Sequence, residues 1–252
     1  MGFFNNIFKK KGVEENDGTP FINPIEVEFH SHLIFGVDDG CETIEQSIEL
    51  LNGFAKLGMR KVITTPHVMS DFYKNSKENV YPKRDLIRQR LVEEDINIEF
   101  EAAAEYMIDD GFEKKIAAGN LLTFGPEGKH ILFELPFMTE PPNLNNCLFE
   151  LQIAGYKPVL AHPERYLYYA NDHEKYIALK ERGILFQLNM LSGLGYYSKP
   201  VADAAQFLVK NKLIDLVGSD THHIRHMQLL PGAIDHKIYR EVCEAELLNN
   251  YL

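Results

Sequence analysis

Cysteine is scarce in this chain. Cys41, Cys147 and Cys243 lie far apart and form no CxxC pair, which argues against a disulfide framework or a zinc knuckle and fits a reducing cytoplasm. Basic residues are also in deficit: 26 Lys and Arg against 37 Asp and Glu leave a formal charge of −11. A broad acidic surface repels nucleic acid, so a general nucleic-acid binder is disfavoured. No stretch approaches the roughly 20 apolar residues needed to span a bilayer. Neither GxGxxG nor GxxxxGK[ST] follows a strand-like run, so the nucleotide folds built on those loops lose support.

What is present is an ordinary globular composition over 252 residues, 45% hydrophobic and 25% charged. That length suits one large α/β domain, since α/β barrels run to about 250 residues as a single unit. The excess of acid has a second reading beside plain solvated surface. Carboxylates gathered around divalent cations count as unbalanced until the metal is added, and three such ions would bring −11 to −5.

The first 24 residues read as a tail and linker ahead of a domain over 25–252. In MGFFNNIFKKK, Phe3, Phe4, Ile7 and Phe8 could share one helical face beside Lys9, Lys10 and Lys11, which would allow contact with a membrane surface. The simpler reading is a tail, or a segment packing on its own domain. The apolar run is too short for a signal peptide, and its charge follows rather than precedes it.

Beyond the linker, short apolar runs alternate with amphipathic ones. Strands are expected at Ile25–Phe29, Lys61–Thr65, Ile96–Ala104, His130–Leu135, Pro158–Ala161, Ile184–Asn189 and Ile214–Gly218. Helices are expected at Ile44–Leu57, Lys77–Glu94, Asp110–Ala118, Leu144–Ala154, Glu174–Arg182, Pro200–Lys210 and Ile234–Leu248. Thr43 is the expected N-cap of the first, with Gln46 three residues on. Strand-then-helix order implies parallel strands with crossover helices, as a nearly closed barrel or an open doubly wound sheet.

Side chains of one chemical kind recur where the strands end. The first gives Glu28-Phe29-His30-Ser31-His32, and an HxH pair on extended chain presents both imidazoles on one face. Asp39 follows in Asp38-Asp39-Gly40. The later strands end in His67, Glu105, Glu134, His162 and, together, Asp220 and His222. Each alone has a bland explanation: an N-cap, a turn, a helix-terminal charge, a satisfied core histidine. Together they do not, because the C-terminal ends of parallel strands share one face, where sites form. His, Asp and Glu without Cys fit Mn²⁺, Fe, Zn²⁺ or Mg²⁺, and so many donors exceed one tetrahedral site. Neighbouring ions suit phosphoester hydrolysis. Arg165, just beyond His162, could clamp a phosphate bidentately; an ordinary surface ion pair is its bland reading.

The phrases HSHLIFGVDDG, VITTPH and VLAHPERY, with Ala104-Glu105, Phe133-Glu134 and Ser219-Asp220-Thr221-His222, resemble the polymerase-and-histidinol-phosphatase (PHP) superfamily. Within it they are similar to the bacterial manganese-dependent protein-tyrosine phosphatases associated with capsule and exopolysaccharide synthesis. The resemblance spans residues 26 to 250. It implies a distorted (β/α)7 TIM-like barrel of the PHP type with a trinuclear site, Mn²⁺ first and Fe, Zn²⁺ or Mg²⁺ as alternatives. His30, His32 and Asp220 would hold one ion, Glu134 and His162 a second, and Asp39, His67 and His222 a third, with Glu105 bridging. Arg165 would orient the phosphate while a metal-bound hydroxide attacks phosphorus in line. No phosphocysteine would form, in keeping with the missing C-x5-R signature. Glu28 stands where the family has Asp, and Phe35 where it has Pro; neither removes a ligand. Register favours His222 over His223. Arg225 is the nearest candidate for a second phosphate-binding arginine, at a shorter spacing than the family pattern.

The implied substrate is a phosphotyrosyl protein, a bacterial tyrosine kinase, in the cytoplasm. The alternatives are a small-molecule phosphatase, such as one acting on histidinol phosphate, and a non-catalytic PHP binding module. Modules of that last kind often lose ligands, and this chain keeps them all. Relatives can assemble into rings, so an oligomer is also compatible.

Overall fold

Seven β-rich runs become parallel strands, two of them broken in the middle. The computed structural model describes residues 23–170 and 172–252, so the aromatic and lysine-rich N-terminal segment lies outside the described residues. The strands are β1 (Val27–Phe29), β2 (Lys61–Thr64), β3 (His67–Val68), β4 (Glu99–Ala102), β5 (Glu105–Met107), β6 (His130–Glu134), β7 (Lys157–Ala161), β8 (Leu185–Asn189) and β9 (Leu216–Gly218). Every pairing between these strands is parallel, in the orders β1-β2-β4 and β3-β5-β6-β7-β8-β9. β2 and β3 are one run interrupted at Thr65-Pro66, and Pro66 has no N–H for a ladder. β4 and β5 are likewise one run, interrupted at Ala103-Ala104.

The ring joins unevenly. Asp220 N–H donates to the His30 carbonyl (2.7 Å) and His32 N–H to the Thr221 carbonyl (2.9 Å), drawing the upper ends of β1 and β9 together. Lower down, buried Asn249 bridges the same two strands. Its Nδ2 donates to the carbonyls of Val27 (3.1 Å) and Val217 (2.9 Å), while its Oδ1 accepts from Val217 N–H (2.9 Å). On the other side β6 pairs with β5 and not with β4, which splits the lower half of the wall. The result is a distorted, TIM-like barrel of parallel strands, the fold class that the sequence motifs imply. Val27, Phe29, Ile63, Leu132, Val159 and Leu216 form one small buried cluster, separate from the larger core between strands and helices.

The helices are α1 (Ile44–Lys56), α2 (Lys77–Glu93), α3 (Phe112–Ala118), α4 (Leu144–Ile153), α5 (His173–Glu181), α6 (Lys199–Lys210), α7 (Ile224–Asp235) and α8 (Lys237–Val242). Thr43 caps α1 as expected, its Oγ1 accepting from Gln46 N–H at 3.4 Å. Two expectations need correction. The strand expected over Ile96–Ala104 begins only at Glu99 and restarts at Glu105. The final helix expected over Ile234–Leu248 is two helices, the first starting ten residues earlier at Ile224. They are separated at His236, which has extended backbone angles (φ −72°, ψ 142°) and whose Nδ1 caps α8 by accepting from Ile238 N–H. Pro231 and Gly232 lie inside α7; both are breakers in sequence, and they hide it. Among the described residues no helix is long and apolar enough to cross a membrane.

Candidate metal centre

All nine side chains singled out as ligand candidates come together, most of them just beyond the C-terminal ends of strands, with His67 and Glu105 at the first positions of β3 and β5 and Asp39 in the loop after β1. Their donor atoms fall into four overlapping groups, each within 4.8 Å: His32, Asp39, His67 and His222; His30, His32 and Asp220; His30, Glu105 and His162; and His67, Glu105 and Glu134. Glu105 is the hub. Its carboxylate lies 3.3 Å from His30 Nε2, 3.5 Å from His32 Nε2, 3.1 Å from His67 Nδ1 and 3.1 Å from His162 Nε2. Asp39 Oδ1 is 3.5 Å from both His67 and His222. Glu134 lies nearest His67, at 3.0 Å.

The donor set fits divalent ions on its own terms. His30 Nε2, His32 Nε2, His67 Nδ1, Glu105 Oε2 and Glu134 Oε1 are buried and make no aligned hydrogen bond. Buried polar atoms are nearly always satisfied, so five orphans converging on one point call for a charged guest. Backbone strain marks the same place. His30 (φ 78°), His162 (φ 33°) and Asp220 (φ 52°) all adopt left-handed conformations. Non-glycine residues are held there at a cost of about 1–3 kcal/mol each, and such strain clusters at functional sites.

Without ions, the cluster balances its charges with protons. Burial would lower His30, but the Glu105 and Asp220 carboxylates push it up to about 9. Burial acts the same way on His67, which contact with Glu105 and Glu134 nonetheless raises to about 12. His222 rises against burial to about 9 beside Asp220 and Asp39. Glu105 is the mirror case: burial favours the neutral acid, yet His30 and its other imidazole neighbours hold it well below the carboxylate range. His162 differs. Burial and then the Arg165 charge depress it to about 4, leaving a neutral imidazole ready to donate a lone pair.

Several orienting residues carried no signal in the sequence reading. The Gln187 amide oxygen meets His30 Nδ1 at 2.7 Å, which turns Nε2 toward the cluster, and it also accepts from His162 N–H at 3.3 Å. Asp38, the first residue of Asp38-Asp39-Gly40, holds His32 Nδ1 at 2.8 Å and accepts from the backbone of His67 (3.0 Å) and Gly40 (3.1 Å). Asn189 Nδ2 reaches Asp220 Oδ2 at 3.3 Å. Gln187 and Asn189 alternate along the buried end of β8, the strand with no ligand of its own; two buried amides at a strand end were the available clue. Gly40 is required sterically, because a Cβ there would stand 2.1 Å from the His32 carbonyl oxygen.

Arg165 lies at the edge of the cluster. Its Nη1 donates to Asp220 Oδ2 at 2.7 Å, and its guanidinium packs 4.2 Å from the Tyr197 ring centroid and 4.9 Å from that of Phe137. Arg225 is exposed in the first turn of α7, three residues beyond His222. The cysteines are poor nucleophiles. Burial pushes the thiols of Cys41 and Cys147 up to about 12 and that of Cys243 to about 11.

A parallel α/β barrel with a His and carboxylate cluster at its strand ends is the architecture of polynuclear metallohydrolases. The chain belongs to the capsular polysaccharide synthesis family CpsB/CapC, whose model matches residues 26–242. It is 32% identical over 199 residues to the tyrosine-protein phosphatase YwqE of Bacillus subtilis, covering 79% of this chain and 78% of that protein. Its fold matches a crystal structure from a study of YwqE and of CpsB from Streptococcus pneumoniae, described there as metal-dependent tyrosine phosphatases. The TM-score is 0.77 at 29% identity, over 90% of this chain and 95% of the other. A histidinol phosphate phosphatase from Lactococcus lactis shares the fold at TM-score 0.51 and 14% identity, over 82% of this chain and 93% of the other.

Proposed function

We propose that this protein is a metal-dependent hydrolase that removes phosphate from phosphotyrosine in proteins, with His30, His32, Asp39, His67, Glu105, Glu134, His162, Asp220 and His222 as metal ligands. The observation that carries this reading is the convergence of buried, unpartnered imidazole and carboxylate atoms on one carboxylate, Glu105, in a chain of the CpsB/CapC family. Manganese is the first candidate; iron, zinc and magnesium suit the same donors. The substrate we infer is a tyrosine kinase of capsule or exopolysaccharide synthesis.

Divalent ions in such a cluster supply Lewis-acid polarisation of the phosphoryl group and lower the pKa of water. The chain's own groups supply position. Arg165 offers a planar fork to the phosphoryl oxygens, packed on the Tyr197 ring so that little side-chain freedom is lost on binding. Its contact with Asp220 ties that fork to a ligand carboxylate. Gln187 and Asp38 fix the His30 and His32 rings, which leaves Nε2 of each as the donor. Arg225 is the candidate second arginine for the phosphate. No thiol takes part, since burial keeps all three protonated.

The test is phosphate release from a phosphotyrosyl peptide by purified protein, with Mn²⁺ and with a chelator. Rapid, chelator-sensitive release supports the reading. Absence of release from protein shown to contain metal overturns it and turns attention to small phosphomonoesters, beginning with histidinol phosphate.

A further inference from the structure

The cluster and Arg165 account for a phosphate, but not for the aromatic side chains around them. Phe137, three residues beyond Glu134 in the loop between β6 and α4, is 44% exposed, yet it is well seated. Its ring lies near-parallel to the His162 imidazole (5.9 Å between centroids, 20° between planes) and packs against buried Tyr166 at 5.7 Å. Its third neighbour is the Arg165 guanidinium at 4.9 Å. Tyr73, in the loop between β3 and α2, is placed in the same way over another member of the cluster, 5.7 Å from the His67 ring and 13° from parallel.

Holding an apolar ring half in water costs about 25 cal/mol for each Å² left exposed. Arg165 does not require it, because Tyr197 already packs closer, at 4.2 Å. A phosphate clamped by Arg165 above His162 leaves its ester oxygen and the attached group next to Phe137. For a phosphotyrosyl residue that group is a phenyl ring, which gains offset-stacking and buried area against a fixed aromatic wall. For a phosphoseryl residue it is a short aliphatic stem that gains neither. We propose that Phe137, with Tyr73 over His67, is a specificity-determining residue that packs on the aryl ring of the substrate and selects aryl over alkyl phosphates. This rests on the phosphotyrosine reading above and adds the residues that impose it.

The test uses metal-loaded full-length protein and two non-hydrolysable probes, phenylphosphonate and methylphosphonate, with binding measured by calorimetry. The natural protein should prefer the phenyl compound. Phe137→Ala should weaken phenylphosphonate about tenfold while leaving methylphosphonate unchanged, and Phe137→Leu should fall between. Tyr73→Ala should act in the same direction. With a phosphotyrosyl peptide, Phe137→Ala should raise KM and spare kcat. Equal weakening of both phosphonates would overturn the proposal, since it would mean that Phe137 acts through Arg165 or His162. So would no change, or no phenyl preference in the natural protein. A natural protein that prefers phenylphosphonate but leaves phosphotyrosyl peptide intact would instead sink the functional reading and keep the aryl site.

Discussion

Glu105 makes the centre one unit, because a single buried carboxylate faces four imidazoles. Replacing it by Ala should abolish turnover and leave several histidines without a counter-charge. Normal phosphotyrosine hydrolysis by a folded Glu105→Ala protein would show that the site is assigned wrongly. Gln187 sits one step back, with His30 Nδ1 at 2.7 Å. Gln187→Ala frees that ring to turn, so metal affinity should fall by about 10–100-fold; a titration with Mn²⁺ that matches the natural protein would refute the orienting role. Arg165→Lys keeps a charge but loses the fork and its aromatic packing. A loss of about a hundredfold in kcat/KM is expected, and kinetics like those of the natural protein would remove Arg165 from the phosphate.

At the scale of elements, β1 and β9 are the join that the site depends on, since they supply His30, His32, Asp220 and His222. That join needs small and specific side chains. A Cβ at Gly218 would stand 1.8 Å from the Phe29 carbonyl oxygen, so Gly218→Ala must push the two strands apart. Asn249 satisfies one N–H and two carbonyls across the same join. Asn249→Ala strands those buried groups and should lower stability by about 1–3 kcal/mol, readable as a shifted urea midpoint; an unchanged midpoint would mean that solvent satisfies them.

These elements also show what the sequence could and could not reveal. Strand ends rich in His, Asp and Glu are legible, because chemistry is written in residue type and parallel strands share a C-terminal face. Thr43 and its cap are legible because capping is local. The role of Asn249 is not, since its partners Val27 and Val217 lie far along the chain and an isolated Asn carries no period. α7 was hidden by Pro231 and Gly232, whose local preference is overruled by packing of His226, Met227, Leu230 and Ala233, all buried. The strands expected to end at Thr65 and Ala104 resume as His67–Val68 and Glu105–Met107, stretches too short to carry an apolar period of their own.

For the whole molecule, the proton-balanced cluster ties stability to pH and to metal in opposite ways. His30, His67 and His222 have folded-state values of about 9, 12 and 9, all above the unfolded 6.5. A raised histidine stabilises the fold fully below the unfolded value, and that contribution drains away as pH climbs through the folded one. Buried Glu28, which burial lifts to about 8, works in the same direction, favouring the folded state least where it must ionise. The metal-free protein should therefore melt at progressively lower temperature as pH rises from 6.5 to 9. Metal reverses the dependence, because imidazoles must be neutral to ligate and each bound ion displaces protons. Added Mn²⁺ should raise the melting temperature more at pH 8.5 than at pH 6.5, by mass action on the folded state. Calorimetric binding at pH 7 should show an enthalpy that varies with the ionisation enthalpy of the buffer, the signature of released protons. Buffer-independent binding, or a metal-free protein that grows more stable toward pH 9, would mean that the histidines do not carry the protons assigned to them.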